Sequence, residues 1–121
     1  MSQNIGKVVE IIGPVVDIQF SQNNLPDLLT AIEIERPNEE NLIVEVEQDI
    51  GSDRVRCIAM GSTDGLVRGM DAIDTGKPIQ APVGENVLGR MFNVLGDPID
   101  GGAPISEDEK HWVIHRKAPS F

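Results

Sequence analysis

Turn-forming residues interrupt this chain at short intervals, and this feature limits what it can fold into. The 121 residues include 12 Gly and 8 Pro, and Asn and Asp add further breaks. The apolar stretches between the breaks are short, and several alternate with polar residues. Successive side chains of a strand point to opposite faces, so this alternation is typical of half-buried β-strands. The pattern predicts an all-β fold.

Five strands follow from this pattern, over residues 5–12, 15–20, 31–36, 42–48 and 54–60. In the second strand Val16, Ile18 and Phe20 share one face, while Asp17 and Gln19 share the other. A sixth strand is placed around either residues 71–73 or residues 78–81, because the segments between turns are very short there. We expect these strands to form a small six-stranded closed β-barrel, since closure removes exposed strand edges.

The clearest strand is the fourth. Its residues Leu42, Val44 and Val46 are predicted to face the core, and Glu45 and Glu47 stand on the opposite face. We interpret these two carboxylates as a solvated face rather than as an acid–base pair. Arg54 and Arg56 of the next strand are candidates to pair with them across strands.

Two turns are expected to have structural roles. Gly13-Pro14 separates the first two strands, and Asp64-Gly65 lies in a run of turn residues. Asp-Gly turns use the freedom of Gly to adopt a positive φ. Catalysis is not expected of either turn.

The pattern changes after residue 81, so we predict one domain over residues 1–81 and a second segment over residues 82–121. In that segment residues 85–88 predict one helical turn, residues 90–95 a strand and residues 96–102 a turn. Residues 103–121 show little periodicity. We interpret the segment as the incomplete start of another domain.

Charge and composition exclude several classes of protein. The chain has 20 acidic and 10 basic residues, a formal net charge of −10, one Trp, three Phe and no Tyr. Nucleic acids and anionic membranes are bound by clustered cations, and stacking on bases needs aromatic side chains. The acidic excess lies mostly in residues 1–81, with 14 acids against 6 bases. Nucleic acid is therefore not an expected partner.

Targeting signals and disulfides are also not expected. Cys57 is the one cysteine, which excludes an internal disulfide framework. The apolar runs are far shorter than the roughly 18–20 residues that span a bilayer. The residues after Met1 lack the apolar core of a signal peptide. We expect a reducing, cytoplasmic setting and membrane association only through partners.

A phosphate-binding P-loop is absent from the sequence. That motif, G-x-x-x-x-G-K-[ST], surrounds phosphates with backbone N–H groups and a Lys. Gly6-Lys7 and Gly76-Lys77 lack the earlier Gly and the following hydroxyl residue. Gly84 and Gly89 have the right spacing, but Arg90 follows them in place of Lys.

Metal and nucleophile candidates all have simpler explanations. His111 and His115 would share one face if this stretch were helical. The residues between them, Trp112 to Ile114, are more typical of a strand. A metal site at the two histidines is therefore not expected. Asp97 and Asp100 lack the remaining ligand spacing of a calcium loop. Cys57 alternates with Val55 and Ala59, which predicts a buried thiol that behaves as a small apolar group. We therefore assign no catalytic, cofactor-binding or metal-binding residue.

Specific strings nevertheless resemble a known family, the catalytic beta subunits of F-type ATP synthases. They keep the family's order and spacing over essentially the whole chain, at residues 6–17, 55–60, 62–69, 74–76, 82–84, 88–90, 93–96, 98–100, 114–116 and 118–121. Residues 62–69 (STDGLVRG) and the closing His115-Arg116-x-Ala-Pro-Ser-Phe resemble beta rather than alpha subunits. Gly61 stands where the family often has an acidic residue, which affects only a turn.

The resemblance implies a function in assembly. In the family such barrels alternate between alpha and beta subunits in a ring, and the ring belongs to a rotary enzyme that makes ATP from ADP and phosphate using an ion gradient. The expected partners are alpha subunits and the remainder of the beta subunit. ATP, ADP and Mg²⁺ are expected in the intact subunit, whereas no cofactor is expected in these residues. The family's P-loop and catalytic residues follow the Ala-Pro-Ser-Phe string, so this chain alone is expected to be inactive.

The resemblance also implies a location on the cytoplasmic side of a bacterial membrane, within a peripheral complex. Two alternatives remain open. One is a free-standing β-barrel binding module. The other is the equivalent domain of a related hexameric ATPase, such as an alpha subunit or a flagellar export ATPase.

Overall fold

The fold is a closed antiparallel barrel followed by a smaller unit with little regular structure. It was obtained as a computed structural model that describes residues 3–121. The chain divides into two compact units, Met1–Pro78 and Ile79–Phe121. The barrel strands are β1 (Ile5–Ile12), β2 (Val15–Gln19), β3 (Thr30–Ile34), β4 (Leu42–Gly51), β5 (Arg54–Ala59) and β6 (Asp71–Pro78). The predicted all-β fold and six-stranded barrel are confirmed.

Strand pairing closes the barrel in the order β1-β2-β5-β4-β3-β6, and β6 pairs with β1. Each neighbouring pair is antiparallel. The predicted inward residues Leu42, Val44 and Val46 are buried in the interior. The other members of the core are Val8, Val16, Ile18, Phe20, Ile32, Ile34, Val55, Cys57, Leu66 and Ala72. Period-two alternation thus placed the core residues of the second and fourth strands correctly.

Two hairpin turns set the register of neighbouring strands. Gly13, at φ 56°, begins the β1–β2 turn with Pro14, as predicted. The β4–β5 turn uses Ser52 and Asp53, at φ 55° and 60°. Two successive left-handed residues are typical of the turn whose twist matches that of antiparallel strands. β4 consequently extends to Gly51, three residues beyond its predicted end.

The sixth barrel strand begins at Asp71, where one of the two predicted placements puts it, but it continues through Asp74-Thr75-Gly76 to Pro78 instead of stopping at these turn-type residues. The Thr75 hydroxyl donates to the Ala31 carbonyl at 2.7 Å, and the Asp74 carboxylate accepts from the Gly76 N–H at 2.8 Å. These side-chain bonds stabilise an extended path that sequence composition alone argues against. Residues 80–82 form a separate strand of the second unit.

The segment between β5 and β6 covers one end of the barrel. Leu66 is buried in the core, while Val67 beside it is exposed. The Gly69 N–H donates to the Val8 carbonyl at 2.8 Å, and the Val8 N–H donates to the Met70 carbonyl at 3.0 Å. These bonds extend the β1–β6 pairing to the two residues that precede β6.

The second unit, Ile79–Phe121, contains two short strands. They are β7 (Gln80–Pro82) and β8 (His111–Val113), which pair antiparallel, and a 3-10 helix spans Glu85–Val87. The helix confirms the predicted helical turn, and β8 lies where strand character was expected between the two histidines. The predicted strand over residues 90–95 is wrong, since only an isolated bridge joins Phe92 to Pro98 there. The side-chain oxygen Oδ1 of Asn93 accepts from the N–H groups of Leu95 and Asp97, each at 2.9 Å, and these bonds stabilise a turn of the chain.

Candidate functional site

The charged groups of the barrel wall make structural contacts, beginning with Asp17 and Arg56. These residues face each other across β2 and β5. Both Asp17 carboxylate oxygens accept from the guanidinium, each at 2.9 Å, and the Asp17 side chain is 3% exposed. The hydrogen bond that Arg56 donates to Asp17, followed by the negative charge of Asp17, raises the pKa of Arg56 above its ordinary value. The sequence suggested Glu45 or Glu47 as the partner of Arg56, but the bidentate ion pair is with Asp17.

Glu45 is a correction to the sequence analysis, because it is buried and not on a solvated face. It is 5% exposed and lies between Ala31 of β3 and Ile58 of β5. Strand alternation alone does not reveal this burial. Glu47 lies at a bulge of β4 between Val46 and Gln48, and it is exposed as predicted. The two glutamates therefore have different environments.

Cys57 is buried in the barrel interior, as its alternation with Val55 predicted. It has no measurable exposed surface. Burial, followed by the negative charges of Asp17 and Glu47, raises the pKa of its thiol from 9.0 to about 12. A nucleophilic cysteine needs a lowered pKa and access to solvent. The Cys57 thiol has neither property.

The two histidines lie in and after a strand rather than on one face of a helix. His111 begins β8, and its Nδ1 lies 2.7 Å from the Glu109 carbonyl oxygen. His115 follows the end of β8. Within residues 3–121, no three His, Cys, Asp or Glu side chains are grouped around a common metal position. The absence of a metal in the functional protein stays a prediction.

Arg36 connects two loops of the barrel, a role that the sequence analysis did not predict. Its side chain is 11% exposed and donates to the carbonyl oxygens of Glu40, Ser62 and Asp64 at 2.9, 3.0 and 3.1 Å. Glu39 pairs with the same guanidinium at 3.1 Å. Arg36 thereby ties the loop after β3 to the loop after β5. No local sequence pattern would identify this role, because the second loop lies more than 20 residues away.

The loop after β5 is also bound to the first hairpin. The Thr63 hydroxyl donates to the Gly13 carbonyl at 2.9 Å. The two turns that the sequence marked as structural, Gly13-Pro14 and Asp64-Gly65, are therefore brought to the same end of the barrel. This proximity is a tertiary result, since 50 residues separate Thr63 from Gly13.

Surface depressions on the barrel are polar and open. One of about 480 Å³ is lined by Glu35, Arg36, Pro37, Asn41 and Asp71. In this depression Arg36 is already engaged by backbone carbonyls and Glu39, and Asp71 by Lys7. A second depression, of about 310 Å³, is lined by Gln3, Asn4, Ile5, Ser21 and Asn24. Neither combines an enclosed apolar wall with converging polar groups, which is typical of a small-molecule site.

In the second unit Arg90 and Asp100 stabilise the loop that replaces the predicted strand. The Arg90 Nε donates to Asp100 at 2.8 Å, and the same carboxylate accepts from the N–H groups of Met91 and Gly102. The Arg90 hydrogen bond, followed by the two backbone bonds, holds the pKa of Asp100 well below its usual range. Asp100 is thus a structural acceptor of the loop.

Trp112 is another residue whose environment the sequence did not predict. It is 43% exposed in β8, with the Arg116 guanidinium 3.8 Å and the Lys110 ammonium 5.6 Å from its ring. Cations over the face of an indole ring are attracted by its negative charge density. The three residues Lys110, Trp112 and Arg116 are separated by even numbers of positions. In a strand such positions lie on one face, so this spacing is the sequence signal that could have indicated their proximity.

The chain was compared with models of known protein families. A family model described as "ATP synthase alpha/beta family, beta-barrel domain" matches residues 8–76. The matched residues begin within β1 and end within β6, so they include the whole closed sheet except the outer ends of these strands. In the described part of the chain, no helix has both the length and the hydropathy of a membrane span.

Proposed function

The chain belongs to the ATP synthase alpha/beta family, and we propose that it is the N-terminal assembly region of a catalytic beta subunit of an F-type enzyme. The observation that carries the proposal is the six-stranded closed barrel, over which the family model matches residues 8–76. The choice of beta over alpha is supported by the strings at residues 62–69 and 115–121. The intact enzyme makes ATP from ADP and phosphate using an ion gradient.

The proposed role of the barrel is to hold alternating alpha and beta subunits together. Its ionic groups support a structural role, because Arg36, Arg56 and Asp17 are engaged in contacts within the barrel. Its interior is filled by apolar side chains, which leaves the outer wall as the surface for partners. The complex would be attached peripherally to the cytoplasmic side of a bacterial membrane.

Residues 82–121, which form most of the second unit, Ile79–Phe121, are proposed to be the start of the nucleotide-binding domain. This unit leaves several large apolar side chains exposed: Leu88, Met91, Val94, Ile99, Trp112, Ile114 and Phe121. A unit that does not bury its own apolar side chains needs other protein surface to cover them. We expect the remainder of a beta subunit to supply that surface.

The proposal is tested by offering the chain two purified full-length subunits from the same organism, one of alpha type and one of beta type. Barrels alternate in the proposed ring, so the chain should co-elute with the alpha-type subunit and not with the beta-type subunit in size-exclusion chromatography. Binding only to the beta-type subunit would instead identify an alpha-type chain. Binding to neither would support the free-standing module.

Nucleotide binding provides a second test. The isolated chain is expected to show no saturable binding of Mg-ATP by titration calorimetry, because no P-loop is present in its sequence. Tight, saturable binding would contradict the assignment of these residues to assembly alone.

A further inference from the structure

The chain contains two Asp-Gly sequences, and their carboxylates have opposite environments. Asp64-Gly65 lies in the loop between β5 and β6, and Asp100-Gly101 lies in the loop that Arg90 stabilises. An Asp-Gly sequence can rearrange, because the amide nitrogen of the glycine can bond to the carboxyl carbon of the Asp side chain and close a five-membered ring. Glycine has no Cβ to hinder this approach. The environment of each pair therefore decides how fast it rearranges.

Asp64 and Gly65 are exposed, and both of their reacting groups are free. The backbone of Asp64 is held at two atoms: its N–H donates to the Ser62 hydroxyl, and its carbonyl oxygen accepts from Arg36, each at 3.1 Å. Within residues 3–121, no group forms a hydrogen bond or an ion pair with the Asp64 carboxylate or with the Gly65 N–H. The carboxyl carbon and the amide nitrogen of this pair are thus unprotected.

The Arg36 guanidinium binds the peptide group that contains the reacting nitrogen. The Asp64 carbonyl, which accepts from Arg36 Nη1, and the Gly65 N–H belong to one amide. Loss of the amide proton places negative charge on that carbonyl oxygen, and a cationic donor stabilises such charge. The Arg36 side chain is 11% exposed, which limits competition from water, and its Nη1 also contacts the Ser62 carbonyl and the Glu39 carboxylate. Arg36 therefore makes the Gly65 nitrogen a better nucleophile.

The Asp100 carboxylate, in contrast, is bound at both oxygens. Arg90 donates to Oδ2 at 2.8 Å and to Oδ1 at 3.3 Å. The N–H groups of Met91 and Gly102 donate to the same carboxylate at 3.2 and 2.8 Å. These bonds lower the pKa of Asp100 and keep it ionised, and an ionised carboxylate resists attack because its departing oxygen must leave as water. The arginine here binds the electrophile, whereas Arg36 binds the nucleophile.

We propose that Asp64 is a site of spontaneous isomerisation to isoaspartate, promoted by Arg36, and that Asp100 is protected from the same reaction. In the first step the Gly65 nitrogen bonds to Cγ of the protonated Asp64 side chain. One C–N bond forms and one C–O bond breaks, and the amide proton and the carboxyl hydroxyl leave together as one water molecule. A cyclic imide remains. The reaction needs no other reactant and does not depend on the proposed function.

In the second step solvent water opens the imide at one of its two carbonyl carbons. Attack at Cγ restores Asp64, whereas attack at the main-chain carbonyl carbon gives isoaspartate, in which the chain continues through Cγ. Arg36 donates to the oxygen of the main-chain carbonyl and so directs water to that carbon. The product has one additional main-chain atom two residues before Leu66, which is buried in the core. We expect the barrel end that this loop covers to lose stability.

Incubation of the full chain at pH 6 tests the proposal. Trypsin releases residues 57–68 and 91–110 as separate peptides, in which chromatography with electron-transfer dissociation measures isoaspartate. We expect it to accumulate about 10-fold faster at Asp64 than at Asp100, because lowering a carboxyl pKa by one unit reduces its protonated fraction about 10-fold. In the control, the chain unfolded in urea, the two sites should react at similar rates. A native rate at Asp64 no higher than that at Asp100 would overturn the proposal.

Two arginine substitutions should have opposite effects. Arg36→Met removes the donor to the Asp64 carbonyl and should slow isoaspartate formation there by about 10-fold, the equivalent of about 1.4 kcal/mol. Arg36→Lys keeps a cation and should restore part of the rate. The matched variant Arg90→Met frees the Asp100 carboxylate and should accelerate isomerisation at Asp100 without changing the rate at Asp64.

Circular dichroism verifies that each variant keeps its strand content. An unchanged or faster rate at Asp64 in Arg36→Met would show that Arg36 only restrains the loop, and would overturn its assigned role. If Arg36→Met loses its strands, the effect of Arg90→Met and the comparison within the unsubstituted chain still decide whether Asp64 is reactive and Asp100 protected.

Discussion

Individual side chains of the barrel show why residue type alone does not reveal environment. Asp17 and Glu45 both stand at outward positions of their strands, yet they are 2% and 5% exposed. Asp17 is covered by Arg56 of the next strand, and Glu45 lies between two apolar neighbours. A carboxylate can be buried on the outside of a small barrel because neighbouring strands are only about 5 Å apart.

The Asp17–Arg56 pair predicts unequal effects of its two truncations. Arg56→Met leaves the buried Asp17 carboxylate without its cation, whereas Asp17→Asn leaves a guanidinium that water can reach, since the Arg56 side chain is 42% exposed. Removing one partner of an ion pair is costly when the other remains buried. Urea denaturation should therefore give a lower midpoint for Arg56→Met than for Asp17→Asn. The reverse order would show that Asp17 does not depend on Arg56.

Cys57 predicts a loss of stability at alkaline pH. Its thiol has a pKa raised from 9.0 to about 12 in the folded chain, so above pH 9 the unfolded state releases a proton that the folded state retains. The free energy of unfolding should fall by about 1.4 kcal/mol per pH unit between these two values. The measurement is denaturation of the chain and of a Cys57→Ala control from pH 8 to pH 11. Parallel curves for the two proteins would contradict the raised pKa.

At the scale of secondary-structure elements, two positions require glycine for different physical reasons. Gly6 lies within β1, where an added Cβ would come within 2.7 Å of the Gln19 carbonyl oxygen and 2.8 Å of the Phe20 ring. Gly13 is at φ 56° in the β1–β2 turn, and an added Cβ would meet nothing within 4 Å. Gly6 is required by the close approach of β1 and β2, whereas Gly13 is required by backbone conformation.

Substitutions at these glycines should separate the two causes. Gly13→Ala is expected to cost about 1–2 kcal/mol, the strain of a left-handed Ala, and Gly13→Asn should cost less. Gly6→Ala should cost more than Gly13→Ala, because its Cβ overlaps backbone and cannot be accommodated by rotating a side chain. The measurement is the free energy of unfolding of the three variants. A smaller loss for Gly6→Ala would indicate that β1 can move away from β2.

At the scale of the whole molecule, the two units differ in how well they bury apolar residues. The barrel encloses a continuous core, whereas the second unit has two three-residue strands and many exposed apolar side chains. Regions with few buried apolar contacts open more readily than cores. We therefore expect the two units to differ in their resistance to proteolysis.

Limited digestion with proteinase K tests this expectation. We predict a resistant fragment that contains the barrel and ends near residue 80, with rapid loss of residues beyond it. Mass spectrometry of the digest identifies the end point. Ile32→Ala provides the control, because it removes a fully buried side chain at a typical cost of 2–5 kcal/mol and should make the barrel itself labile. Equal resistance across the whole chain would contradict the predicted difference.

The sequence by itself determined the strands with clear alternation, the inward residues and the main turns, because these depend on neighbours along the chain. Leu42, Val44 and Val46 are examples. Only the tertiary structure decided which residues meet across strands. The Asp17–Arg56 pair, the contacts of Arg36 with a loop more than 20 residues away and the path of β6 through Asp74-Thr75-Gly76 depend on barrel closure. Closure of the barrel brings residues that are distant in the sequence within hydrogen-bond range. A local sequence pattern cannot predict these contacts, because it depends only on neighbours along the chain.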